Sequence, residues 1–299
     1  MTWSKWLAAS WMFFLLGASL VVSLFFPELG SRQDIERIYV APSPQHWFGT
    51  DSLGRDLFAR VLLGTKVSLS VGLAASMIAM LVGVLYGLAA GWWSGWIDRA
   101  LMRLNDLLIA LPSFAWVAVL TMTLQAALPW TDDGFGKIFW SLSLGIGLTH
   151  WMTVARVTRG LVLRTKVMPF IEASQALGAG NLRVLFHHVL PNIAAPLWVL
   201  FGLLIPGNIL YESFMSFIGV GVQAPDTSWG LLVQEGWQSL STAPHLILCP
   251  SFVLFLTIWS LHVWLEEARR RGRAHSDEGG DQPPKADSRT SAAAMVRSS

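Results

Sequence analysis

Residues 164–192 read RTKVMPFIEASQALGAGNLRVLFHHVLPN. This polar, charged stretch lies between long apolar runs, and its pattern predicts two short helices joined at Gly178-Ala179-Gly180. Pro169 suits the first turn of the first helix, where a missing N–H costs no hydrogen bond. Gly178 and Gly180 give the chain freedom to turn, and Asn181 fits the N-cap of the second helix. That helix places Leu182, Leu185, Phe186 and Val189 on one stripe, with Arg183 and His187 off it. Leu190-Pro191 reads as its end and as the start of the next apolar run. In a membrane protein, a structured cytoplasmic loop of this kind makes a docking surface. Periodicity alone suits an ordinary amphipathic connector equally well.

Composition supplies the membrane. Mean hydropathy is +0.50 and 13% of residues are charged, about half the roughly 25% of soluble proteins. Six runs without Asp, Glu, Lys or Arg approach or reach the roughly 20 residues that cross a bilayer. They are 6–26, 67–93, 107–130, 138–155, 193–211 and 246–265. The first reads as a span rather than a signal peptide, since Lys5 is its only basic flank and no small-residue cleavage site follows Phe25-Phe26-Pro27. Trp92, Trp93, Trp96, Trp130, Trp229 and Trp264 fall near run ends, as interfacial anchors would.

Six spans put both termini on one side. With the N-terminus inside, fifteen of the 21 Lys and Arg fall on inner segments and six on outer ones. The cluster Arg269–Arg273 directly after the last run supports a cytoplasmic C-terminus most strongly. The first outer loop is an exception, with Arg32, Arg37, Arg55, Arg60 and Lys66. The expected organisation is a first helix with its outer loop (1–66), a transmembrane domain (67–266) and a disordered cytoplasmic tail (267–299), the last from its Gly, Ser, Pro and charge content. Cys249 is the only cysteine, which excludes an intrachain disulfide and a thiolate metal cluster.

Motifs of chemistry are mostly missing. Gly49 to Asp56 has the two-glycine spacing of a phosphate loop but lacks its Lys-Ser/Thr, so a turn capped by Asp51 and Asp56 accounts for it better. His187 and His188 are adjacent and diverge on a helix, which makes them a poor metal pair. His150 and His262 read as packed or interfacial histidines in apolar runs. No Ser/His/Asp or paired-carboxylate arrangement is present, so no catalytic, metal or cofactor residue is expected in this chain. Within the spans, Gly83, Gly87 and Gly91 line one helix face and allow close helix approach. Pro196, Gly202, Pro206 and Gly207 predict a kinked or broken fifth span of the kind that flanks a pathway. Glu212 and Ser216 follow it. With Pro206 they are the possible pathway or gate residues, the alternative for Glu212 being a carboxylate at the outer interface.

Four separated motifs resemble one family. Glu172-Ala173, then Gly178, then Leu190-Pro191 is similar to the EAA loop of ABC importer permeases. HWFGTDSLGRD at 46–56 resembles the GTD-x-x-GRD segment of the C-type permease subunit of oligopeptide, dipeptide and nickel importers. Trp96-Ile-Asp98-Arg99 through Ala110-Leu-Pro112 resembles the same subunits. So does Leu210-Tyr-Glu212, continuing through Ser216-Phe-Ile-Gly219-Val-Gly221 to Trp229-Gly230. The resemblance covers about residues 1–266. It departs at Ser260–Arg269, where the family closes on an Asn-Leu-Leu-Gly-Asp-like string, and at Ser174, often Ala.

The resemblance implies an all-α integral membrane protein of the MetI-like permease fold, with about six transmembrane helices and a cytoplasmic two-helix coupling loop at 164–192. It implies a multi-pass protein of the cytoplasmic (inner) membrane with both termini cytoplasmic. The partners implied are a second homologous permease, two cytoplasmic ATPase subunits that bind the ATP, and an extracytoplasmic substrate-binding protein. Glu172, Ala173, Gly178, Asn181, Leu182, Arg183, Leu185, Phe186, Leu190 and Pro191 would then form the ATPase-coupling surface. Leu182, Leu185 and Phe186 would fill a groove on the ATPase. The implied cargo is a di- or oligopeptide, with nickel or another small solute as the alternative. A stand-alone secondary transporter lacks support because the spans carry no chain of acidic residues or histidines for a proton relay.

Overall fold

In the computed structural model, residues 2–127 and 135–279 are described, and the described elements are helices joined by turns, with one isolated bridge between Thr50 and Asp56. The long helices are α1 (Thr2–Phe25), α2 (Leu57–Trp93), α5 (Phe135–Lys166), α8 (Leu190–Phe217) and α10 (His245–Gly279). Between them lie α3 (Gly95–Ile109), α4 (Ser113–Ala127), α6 (Pro169–Ala176), α7 (Asn181–Val184) and α9 (Trp229–Gln238). Five helices are long and apolar enough to cross a membrane, or six if α3 and α4 count as one bent span. The chain divides into a compact unit, Met1–Leu265, and a second beginning at Glu266.

The third apolar run is therefore not one helix. α3 and α4 meet at 92° across Ala110-Leu111-Pro112. Pro112 disfavours helical backbone at Leu111, so the chain turns there. The run's end, with Trp130, lies outside the described residues. Two more expectations change. Trp229 is fully buried and donates its indole N–H to the Val61 carbonyl (3.1 Å), which makes it a core residue and not an interfacial anchor. α10 continues to Gly279, so residues 267–279 of the expected disordered tail are helical, and 280–299 lie outside the described residues.

The packing follows from small residues on α2. Gly83, Gly87 and Gly91 face α5, and β-carbons placed there would lie 2.5–2.8 Å from atoms of Val154, Ala155, Thr158 and Val162. With no side chain in the way, α2 and α5 form the most extensive helix contact of the molecule. Further toward the N-terminus, Gly64, Ser68, Gly72 and Ser76 recur every fourth residue. Gly72 packs on Ile209 of α8, and Gly64 on the backbone at Ser228-Trp229.

The 46–56 motif is a turn, as its residue types predict. Gly49 and Gly54 have positive φ (78° and 72°), which favours glycine. Asp51 accepts from the amides of Leu53 and Arg55, and Asp56 caps α2 through the Ala59 amide. Two of the five basic residues that the charge count assigned to the first outer segment are neutralised here. Arg55 Nε bonds Asp51 (2.7 Å), and Arg60, only 1% exposed, bridges Asp51 and Glu235. Arg60→Lys keeps the charge but cannot reproduce the planar fork that holds both carboxylates. We expect it to cost about 1.5 kcal/mol, read as a lower thermal midpoint in detergent. An unchanged midpoint would mean that the fork adds nothing to a point charge.

Candidate functional site: the 169–189 segment and the polar interior

α6 begins as its sequence predicts, with Pro169 in the first turn after an extended Met168. Its end is a complete glycine stop. The Gly178 amide donates to the Gln175 carbonyl (2.9 Å) and the Ala179 amide to that of Ser174 (3.1 Å), satisfying the helix's last acceptors. Gly178 has φ +85°, and a β-carbon there would meet nothing within 4 Å. The requirement for glycine is thus backbone conformation, not space. Glu172 is exposed in the first turn of α6, where a negative charge complements the helix dipole. Ala173 and Arg183 are also exposed.

The second half of the segment differs from its sequence reading. Gly180 is the N-cap of α7 and makes no side-chain cap, so Asn181 is the first helical residue. Leu190-Pro191 does not end the helix. A π turn, Leu185–Val189, joins α7 to α8, and residues Asn181–Phe217 run on as one 37-residue helix. Pro191 has no N–H to give the carbonyl one turn back. The wider turn, with the Leu190 amide on the Leu185 carbonyl, accommodates this without a break. Pro196 and Pro206 likewise sit inside a continuous α8, so the fifth span is not broken.

The apolar stripe is shared between two surfaces. Leu185 and Val189 are buried in a cluster with Leu88 and Trp92 of α2, Val162 of α5, Ile171 of α6 and Ile193 of α8. Leu190 packs against the same cluster from its edge, and Pro191 is exposed. Leu185 therefore cannot fill a groove on another protein. Leu182 and Phe186 remain exposed, and Leu177 at the turn is 90% exposed. Val167, Met168 and Phe170 add to this surface. The ends of α2 and α5 are tied beneath it: Lys166 Nζ bonds the Trp92 carbonyl (2.5 Å) and Ser94 Oγ (3.2 Å). The segment and the ends of three long helices thus form one packed unit.

The interior holds two polar groupings. Glu212 is fully buried and accepts from Ser216 (2.9 Å) and Ser213 (3.3 Å), with the Ser68 and Ser228 hydroxyls also on its carboxylate. Ser216 also accepts from the Val222 amide, Ser68 from that of Trp229, and Ser228 caps α9. Glu212 and Ser216 thus staple the 219–231 segment to α2 and α8. Both are enclosed within this subunit, as is Pro206. The second grouping was not singled out from the sequence, apart from His150 as an isolated histidine. His150 Nδ1 meets Asn208 Oδ1, Asn208 Nδ2 donates to Ser76 Oγ (2.8 Å), and Ser76 donates to the Gly72 carbonyl (2.7 Å). Beside it, Ser113 and Tyr211 share a hydrogen bond (2.6 Å). The available signal was a set of polar residues inside apolar runs. Among the described residues, no group of three or more His, Cys, Asp or Glu could hold a metal ion.

The chain is thus a set of apolar helices closing on a structured, partly apolar end segment, and the sequence comparisons give its class. Residues 83–268 match the family described as the binding-protein-dependent transport system inner membrane component. The chain belongs to this family of ABC importer permeases. Among its relatives is the Bacillus subtilis oligopeptide transport system permease protein OppC, 36% identical over 249 residues, covering 82% of this chain and 78% of that protein. The Salmonella typhimurium OppC is 43% identical over 214 residues, covering 72% and 67%. The B. subtilis dipeptide transport system permease protein DppC is 36% identical over 253 residues, covering 84% and 76%.

Proposed function

We propose that this chain is one translocation subunit of an ATP-driven importer of di- or oligopeptides. The observation that carries the reading is the exposed apolar surface of Leu177, Leu182 and Phe186, set on a segment packed to the ends of α2, α5 and α8. A cytoplasmic ATPase subunit would cover that surface. Its movement on binding and hydrolysing ATP would then reach the spans without slack, because α7 and α8 are one helix. The spans would alternate between states open to either side. A second, homologous permease would complete the passage, a second ATPase subunit would serve it, and a binding protein would deliver the solute. The peptide cargo rests on the names of the oligopeptide and dipeptide permeases that the chain resembles. No ATP or other cofactor is assigned to this chain itself. The test is uptake: the importer assembled in vesicles should accumulate a labelled tripeptide when ATP is supplied inside, and accumulation of nickel alone would overturn the peptide reading.

Orientation is part of the proposal. The 169–189 segment and both termini would face the cytoplasm in the inner membrane, and the 219–228 segment the outside. The support is the excess of Lys and Arg on the inner segments. In a Cys249→Ser chain, a membrane-impermeant thiol reagent added to intact cells should modify Gln223→Cys and spare Gln175→Cys, two exposed positions. The opposite labelling would place the segment outside and remove the ATPase from the scheme.

A further inference from the structure

The break between α3 and α4 leaves a cavity of about 240 Å³ against α5 and α8, with Ser113, Trp116, Thr149, His150, Thr153 and Tyr211 among its walls. It is smaller than the roughly 300–1,000 Å³ that encloses a whole small ligand, so it takes part of a solute rather than all of it. His150 lies in the middle of α5, a span by length and composition. Lipid cannot satisfy hydroxyls and an imidazole at that depth, so such groups face water, protein or cargo.

The hydrogen-bond chain behind His150 fixes what the ring presents. Ser76 gives its proton to the Gly72 carbonyl, so its oxygen accepts from Asn208 Nδ2. Asn208 Oδ1 is then an acceptor, and His150 Nδ1 must carry the proton. In the neutral ring, Nε2 on the opposite edge keeps its lone pair. Tyr211 stands edge-on to the imidazole at 4.4 Å between centroids and is itself tied to Ser113. Two restraints therefore hold the ring in place with one unshared acceptor.

We propose that His150 is a solute-contact residue, its Nε2 accepting a hydrogen bond from a main-chain N–H of the peptide as it passes this cavity. The proposal rests on the peptide-importer reading. A neutral acceptor suits cargo of varied sequence, because every peptide offers main-chain N–H groups whatever its side chains. The Asn208–Ser76–Gly72 relay acts behind the histidine and would set its tautomer rather than touch the peptide.

The experiment is a cycle between His150 and the cargo, using the complete importer in proteoliposomes. Uptake of trialanine is compared with uptake of analogues in which each main-chain N–H is N-methylated in turn. His150→Leu should lower trialanine uptake about tenfold, the equivalent of one hydrogen bond of about 1.4 kcal/mol. It should leave uptake of one analogue, the one that has lost the contacted N–H, unchanged. Any discrimination by the binding protein is common to both importers and cancels in the ratio. His150→Gln, which keeps an acceptor, should recover part of the loss. A uniform loss for every peptide, or no loss, would overturn the proposal. Should His150→Leu fail to assemble, Thr153→Cys in a Cys249→Ser chain gives the second reading. Trialanine should slow its modification by a thiol reagent, and unslowed modification would count equally against the contact. An unmodified importer that takes up no peptide would remove this inference and the peptide reading together, whereas normal uptake with an unaltered ratio removes the inference alone.

Discussion

Gly87→Leu is expected to prevent the chain from folding in the membrane. A β-carbon at Gly87 would lie 2.5 Å from the Ala155 carbonyl oxygen, 2.6 Å from Thr158 Cβ and 3.0 Å from the Arg159 amide nitrogen. Two of these three atoms are backbone, so no rotamer change relieves the clash and α2 must move off α5. Overpacking a well-packed core costs about 1–3 kcal/mol when side chains can yield. Here the whole interface has to open, so the loss should exceed that range. Gly160 lies on α5 with nothing within 4 Å of a β-carbon. Gly160→Ala should be neutral or stabilising by up to about 1 kcal/mol through helix propensity. Yield of monodisperse protein and its thermal midpoint read both. Wild-type yield and midpoint for Gly87→Leu would show that α2 and α5 do not pack this closely at Gly87.

The double substitution Leu182→Asp and Phe186→Asp should leave the fold intact and stop transport. Both side chains are exposed, at 61% and 47%, so charge there meets water in the isolated chain and stability should change by less than about 0.5 kcal/mol. In the assembled importer, the same positions would place two unpaired carboxylates in a desolvated groove. Loss of central apolar anchors typically costs 2 kcal/mol or more of binding. Recovery of the ATPase with the permease should fall by about 30-fold or more, and peptide uptake should be lost with it. The comparison is Leu185→Asp, one position along the same stripe. Leu185 is buried among α2, α5 and α8, so a carboxylate there should unfold the segment. Normal ATPase recovery in the double variant would mean that residues 169–189 are a connector and that coupling lies elsewhere.

Much of the 169–189 segment was legible because its signals are local. Proline in a first turn and glycine where φ must be positive are properties of one residue and its immediate neighbours. Both Pro169 and Gly178 stand where the sequence put them. The Gly49–Asp56 turn and the α2 glycine face were legible for the same reason. The division of the Leu182, Leu185, Phe186, Val189 stripe was not. Helical period assigns a face to each residue but does not say how much of that face the rest of the chain will cover. Continuity through Pro191 was hidden for a different reason. Whether a proline ends a helix depends on whether the preceding turn can widen, and here Leu185–Val189 does so.

The sequence by itself determined that this chain is a bundle of apolar helices with a structured polar segment between the fourth and fifth apolar runs. Hydropathy and turn chemistry are summed along the chain and need no knowledge of the partners. Only the tertiary structure decided which polar residues act together. Asn208 joins His150 across 58 residues and Ser76 across 132, and Glu212 binds α2 and α9 to α8 from a position that reads as the end of a span. Each of these residues, taken singly, is an ordinary polar group in an apolar run. What gives them a role is desolvation: inside the bundle every hydroxyl, amide and carboxylate needs a partner. The helix packing set by the α2 glycines selects which partners are within reach.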